Sequence, residues 1–237
     1  MKTTTLILLV LTASLVYSTE INLTSGKNQT QVIELYTSEG CSSCPPADRW
    51  LTSLKSSPKL FKDFIPVAFH VDYWDYIGWK DQLASAKNSK RQRFHKLEGN
   101  LNSVYTPGIL KAGKEWRGWY GSEINVSNNS VGTLSVVIKD NNLKAVFDTQ
   151  ELGEYNLVVA LMAMNIETKV QAGENRGKTL RHDFVIIKQQ TYRSKNKQWE
   201  TPLNTAFFET KYKNTALVAW VERSKNPTPI QAVAKFL

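Results

Sequence analysis

Cysteine is nearly missing from this chain: 237 residues hold two, Cys41 and Cys44. That scarcity excludes a disulfide framework and a four-cysteine zinc site. Histidine is almost as rare, with three residues, so a metal centre would have few nitrogen ligands to draw on. After Val16 no apolar run approaches the ~20 residues that a membrane-spanning helix needs. No glycine spacing matches the Walker or dinucleotide phosphate loops, and there is no internal repeat or low-complexity tract. Acidic residues number 21 against 30 basic ones, a net charge of +9. The basic residues are dispersed, and the densest run, "KNSKRQRFHK" at 87–96, has helical spacing and reads as a solvated helix face. A nucleic-acid partner is therefore not expected.

What is present begins with "MKTTTLILLVLTASLVYS", one lysine followed by an apolar stretch from Leu6 to Val16 and small residues before a cut after Ser18. This is the layout of a secretory signal peptide, too short for a membrane span. A secreted or periplasmic location is expected, with no stable membrane span after cleavage. Residues 19–30 are polar and read as a flexible lead-in.

"QVIELYTS" reads as a buried strand, and "PPADRWLTSLKSS" as a helix with Ala47, Trp50, Leu51 and Leu54 on one face. Pro45 and Pro46 suit its first turn, where an N–H has no helical partner. "FIPVAFHVDYW" reads as a second strand, and Lys80 to Leu97 as a helix whose apolar face is Leu83, Ala86, Phe94 and Leu97. Strand, helix and strand joined by short loops imply a parallel pair. "GILK" and "EWRGW" suggest a hairpin, and a short helix is expected at about 122–129. Beyond Val131 the patterns are strand-like, with no helical face of any length. The expected organisation is a signal peptide at 1–18, an α/β domain at 31–129 and an antiparallel β-rich domain at 130–237.

The chemistry rests on "EGCSSCPPADRW". Closing so short a loop removes little unfolded-state entropy, so the pair is a weak staple. A CxxC between a strand and a helix places its first sulfur near free N–H groups and the positive end of the helix dipole, which favours the thiolate. Cys41, on the outer side of the turn, is then the expected nucleophile and Cys44 the shielded resolving thiol. "VYTPG" at 104–108 stands where a thioredoxin fold has its cis-proline, with Thr106 and Pro107 as expected substrate contacts. Trp74 and Asp75, in an aromatic and acidic loop with Asp72 and Trp79, are candidates to line the same groove. Glu34 is a candidate proton relay to Cys44 if buried behind it, against the plainer reading of an edge or strand-end carboxylate paired with a lysine.

The blocks "VIELYTSEGCSSCPPADRWL", "AFHVDYWDYIGWKD", "VYTPG" and "GENRGKTLRHDFV" together resemble a secreted, thioredoxin-like bacterial family catalogued as a domain of unknown function, over nearly the whole mature chain. The resemblance implies a thioredoxin-like fold with a β-rich C-terminal extension. The function expected is thiol–disulfide exchange with a protein or small-molecule thiol or disulfide, without a cofactor or resident metal. The alternative is a non-catalytic thioredoxin-fold binding protein, delivering a soft metal through the thiols with His70 or His182, or binding a partner beside a structural disulfide. "GENRGKTLRHD" reads as a loop docking the β-rich half on the α/β half.

Overall fold

The computed structural model describes residues 20–237; the expected leader lies outside them. The order is β1 (Ile21–Thr24), β2 (Gln31–Thr37), α1 (Pro45–Ser53), β3 (Phe64–His70), α2 (Ala86–Leu97), β4 (Gly108–Lys111), β5 (Lys114–Glu115), β6 (Thr133–Lys139), β7 (Asn142–Asp148) and β8 (Tyr155–Ala163). There follow β9 (Ile166–Lys169), β10 (Thr179–His182), β11 (Val185–Ser194), β12 (Gln198–Pro202), β13 (Thr215–Arg223) and β14 (Pro229–Phe236). The fold is mixed α/β, with few helices and extensive antiparallel sheet.

β2 and β3 pair in parallel from Gln31↔Phe64 to Thr37↔His70, and both are buried along their whole length. That burial matches their dense apolar runs, because a strand covered on both faces needs no polar alternation. β4 joins β2 antiparallel, and β5 joins β4. On the other side β3 meets β11, and the sheet continues to eight strands in the order β14-β13-β8-β11-β3-β2-β4-β5. The sheet thus crosses residue 130, uniting strands from both halves of the chain.

Strand alternation divides the interior into two cores. Val158, Ala160 and Met162 of β8 face the core shared with β2, β3 and α1. Leu157, Val159 and Leu161 face the core closed by the four-stranded sheet β1-β6-β7-β12. The β6–β7 turn is Asp140-Asn141, both with positive φ, the backbone that a two-residue hairpin of matching twist demands.

Three local expectations are corrected. The polar lead-in contains β1, which pairs with β6 because Ile21 and Leu23 alternate and add to the second core. Residues 122–129 are not helical: the segment has no regular structure, buries Ile124, and its Asn125 carbonyl accepts a bond from the Gln31 amide. The second helix starts at Ala86, where the Ser85 side chain accepts the Lys87 N–H. That helix also buries the face opposite in character to the expected one, covering Asn88, Ser89, Gln92 and His95, while Leu97 is 81% exposed.

The polar face of α2 is buried because the chain supplies partners for it. The Asn88 amide donates to the His70 carbonyl, Ser89 Oγ to Asp72, and the Gln92 amide to the Tyr105 carbonyl. Arg91 lies between Phe69 and Trp220 and donates to Glu34, Glu222 and the Pro227 carbonyl. A buried charge that is paired and fully bonded avoids most of its desolvation cost. The basic run is thus a solvated face from which one arginine turns inward.

Candidate functional site

β2 ends at Thr37, and the chain turns through Ser38, Glu39 and Gly40 into Cys41. Cys44 is the N-cap of α1, with Pro45 and Pro46 in its first two positions. Cys41 and Cys44 form a disulfide. Gly40 lets the neighbouring loop come close: a Cβ there would lie 3.0 Å from Trp74 Cβ and 3.3 Å from Ile77 Cδ1. The two intervening serines have defined contacts. Ser43 Oγ lies 3.4 Å from Cys41 Sγ, and the Ser42 N–H donates to the Glu174 carboxylate.

Both cysteines are fully buried, Cys41 as much as Cys44, so the exposed nucleophile expected from sequence is corrected. The cover includes residues from the β-rich half. Asn175 donates through its side-chain amide to the carbonyls of Glu39 and Cys41, and Glu174 holds the Ser42 N–H. Gly173, at φ +72°, packs its backbone against Ile77 and Trp79. These contacts match the docking role expected of "GENRGKTLRHD".

Of the expected groove residues, the structure brings together Trp74, Thr106 and the cysteine turn. Trp74 Nε1 donates to Thr106 Oγ1 at 2.7 Å while its Cβ touches Gly40. The Thr106–Pro107 peptide bond is cis. Asp75 is turned to its own loop, where it accepts the Asp81 N–H, and burial raises its pKa.

Glu34 belongs elsewhere, and its proton-relay role is corrected. It accepts Tyr36 OH at 2.8 Å, Arg91 Nε at 2.9 Å and His95 Nε2 at 3.2 Å. These partners lie with α2, whereas Thr37 on the opposite face of β2 bonds to Asp48 of α1. Burial would raise the Glu34 pKa, but Arg91 and His95 outweigh it and hold the carboxyl well below its ordinary range. Its three bonding partners make it a structural group.

A different set gathers around residues that flank the cysteine pair in sequence. Glu39 precedes Cys41 by two residues and Asp48 follows Cys44 by one helical turn; both are buried. His70 and His182 meet edge to face with ring centroids 4.7 Å apart. His182 Nε2 is 3.4 Å from Glu39 Oε1, and its Nδ1 is 4.0 Å from Asp48 Oδ1. His70 donates through Nδ1 to Asp81 at 2.7 Å. Trp79 Nε1 donates to Glu39 Oε2, and Thr37 to Asp48 Oδ2. Burial raises the Asp48 pKa beyond what the two histidines restore. Burial disfavours the charged His70 ring, yet Asp81 lifts its pKa overall and is itself lowered in return.

A protein-family model described as "Protein of unknown function (DUF1223)" matches residues 32–222. The chain belongs to that family. No curated protein matches it. Among solved structures, a crystal structure of an Agrobacterium tumefaciens protein is similar, with TM-score 0.62 and 24% identity over 90% of this chain and 96% of that one. HBP35 of Porphyromonas gingivalis is similar with TM-score 0.51 and 14% identity, over 89% of this chain and 76% of that one. At those identities the likeness is one of fold.

In this DUF1223 chain the sequence located the cysteine turn, Trp74 and Thr106, but not the cluster behind them. Asp48 had a signal, its place one turn after Cys44 on the buried face. His70 and His182 drew notice as candidate metal ligands to the thiols, with a hydrogen-bonded core histidine the plainer reading of His70. Glu39 and Asp81 had no pattern to mark them, and their pairing with residues up to 143 positions away is a product of the fold.

Proposed function

We propose that this chain is an exported thiol–disulfide exchange protein with a thioredoxin-like unit at residues 31–129 and a β-rich extension. The carrying observation is the Cys41–Cys44 disulfide at the junction of β2 and the first turn of α1. The surrounding order supports it: β2 lies inside the sheet with β3 parallel on one side and β4 antiparallel on the other, β5 pairs antiparallel with β4, and side chains on opposite faces of β2 bond to α1 and α2. The helix end stabilises a thiolate there, and the Trp74–Thr106 pair offers a rim for a substrate backbone.

In the oxidising direction a substrate thiolate attacks Cys41, Cys44 leaves, and a second substrate thiolate completes the exchange. In the reducing direction the Cys41 thiolate attacks a substrate disulfide and Cys44 resolves the mixed species. Attack at Cys41 requires the turn, held by Glu174 and Asn175, to open first, because Cys41 is buried. The signal-like residues 1–18 support a periplasmic or secreted location. Among the described residues no helix is long and apolar enough to cross a membrane.

The test is disulfide exchange with a dithiol or an insulin substrate. Cys41→Ser is expected to abolish turnover, and Cys44→Ser to trap mixed disulfides. Equal activity of wild type and both variants would remove the reading. Full burial of both sulfurs favours a second reading, a binding scaffold with a structural disulfide. That reading expects resistance to glutathione, and no mixed disulfide with Cys44→Ser.

A further inference from the structure

Four buried side-chain nitrogen and oxygen atoms have no hydrogen-bond partner among the described residues: Glu39 Oε1, His70 Nε2, and both ring nitrogens of His182. All four belong to one cluster. Native interiors pair nearly all such atoms, and a concentration of exceptions marks chemistry more readily than architecture. His95 shows what a structural histidine looks like in this protein. Its Nε2 donates to Glu34 and its Nδ1 accepts from the Asn100 amide, so both nitrogens are used. His182, only 2% exposed, uses neither.

The position of His182 supplies the reason. It sits between Glu39, two residues before Cys41, and Asp48, one helical turn after Cys44. It comes from β10, beyond residue 130, so the β-rich half completes the environment of the cysteines. Among the described residues no group of three or more His, Cys, Asp or Glu side chains is placed to hold a metal ion. The arrangement is one of acids and bases.

We propose that His182 takes up a proton when the Cys41–Cys44 disulfide is reduced, and releases it on reoxidation. The idea rests on the exchange reading above and names what the site does with charge. With a dithiol reductant, one of its thiolates attacks Cys41 Sγ, the S–S bond breaks, and Cys44 leaves as a thiolate. The second donor sulfur then displaces Cys41 and closes the donor disulfide. Two electrons pass to the protein; one donor proton ends on the Cys41 sulfur and the other on His182. The buried Cys44 thiolate is thereby balanced by an imidazolium.

The groups facing His182 are Glu39 from the turn after β2, Asp48 from α1, and His70 from the end of β3, with Asp81 behind His70. Neighbouring cations are engaged elsewhere, Lys55 with Asp183 and Lys178 with Asn175. The raised pKa of His70 fits an environment rich in carboxylates. A thiolate created at Cys44 in a dry interior adds to that field and favours protonation of His182.

The experiment is a histidine-resolved NMR pH titration of the oxidised protein and of the protein reduced by a phosphine, which needs no natural partner. The expected result is a His182 midpoint raised by about one pH unit or more on reduction, with His95 unmoved. An unchanged His182 midpoint would overturn the proposal, even if the disulfide exchanges normally. Conversely, inactivity in the exchange assay with a shifted His182 would sink the enzyme reading and leave the linkage standing. For active protein, the glutathione equilibrium of His182→Gln is expected to gain about tenfold of pH dependence per pH unit in the window where wild-type His182 takes up its proton, because that proton is then released to solvent. Parallel wild-type and variant profiles in a folded variant would also overturn it.

Discussion

The two polar clusters that flank strand β2 are both buried, both contain glutamate and histidine, and are built on opposite rules. Around Glu34 every polar atom finds a partner: Tyr36, Arg91 and His95 converge on its carboxylate, and Arg91 carries Glu222 as well. Around His182, whose neighbour His70 is bonded to Asp81, the Glu39 and Asp48 carboxylates are close to its ring but out of hydrogen-bonding alignment with it. An unsatisfied buried polar group costs about 1–3 kcal/mol, so the second cluster sacrifices stability that the first one secures. The difference teaches that burial alone does not mark a functional group. What separates structure from chemistry here is whether the buried atoms are already spoken for.

The sharpest way to break the comparison is to remove the cation of the satisfied cluster. Arg91→Met leaves the Glu34 and Glu222 carboxylates facing each other without their base, and is expected to cost about 3–5 kcal/mol in urea unfolding. A loss near zero would mean that the cluster is not the structural one. Next comes Glu34→Gln, which carries a pH signature. Because the folded pKa of Glu34 lies below its ordinary value of 4.5, its contribution is present above that pH and fades as pH falls through the folded value. The stability gap between wild type and variant should therefore be widest near pH 7 and narrow steadily below pH 4.5. Tyr36→Phe removes one bond to a charged acceptor and should cost about 1.5–3 kcal/mol.

The smallest effect is expected in the other cluster, with the opposite sign. Burial raises the folded pKa of Asp48 above 3.8, so the stability it favours belongs to low pH and is lost as pH rises through the folded value. Asp48→Asn keeps an acceptor for Thr37 and is expected to stabilise the fold at pH 7 by about 1 kcal/mol or less. A clear destabilisation at pH 7 would erase the contrast between the clusters.

Much of the α/β part was legible because its signals are local. Val32, Ile33, Leu35 and Tyr36, a short run dense in apolar residues, made β2, and two prolines after Cys44 allowed only a helix start there. The polar lead-in misled because β1 acquires its meaning only from β6, more than a hundred residues later. Helix α2 misled more instructively. Its apolar residues suggested one buried face, but Asn88, Ser89, Gln92 and His95 go inward because carbonyls and carboxylates wait for them. Hydrophobic periodicity has no term for a polar face whose partners lie on other strands.

By itself the sequence determined where the two sulfurs stand, at a strand-to-helix turn, since turn chemistry and helix-start preferences act over a few residues. Trp74 and Thr106 were nominated by the same kind of local pattern. Only the tertiary structure decided that Cys41 is covered, that Glu34 is bound to α2, and that His182 comes to rest between Glu39 and Asp48. Those outcomes depend on where β10 and the Glu174–Asn175 loop dock, and docking is set by contacts between segments that no stretch of chain contains alone.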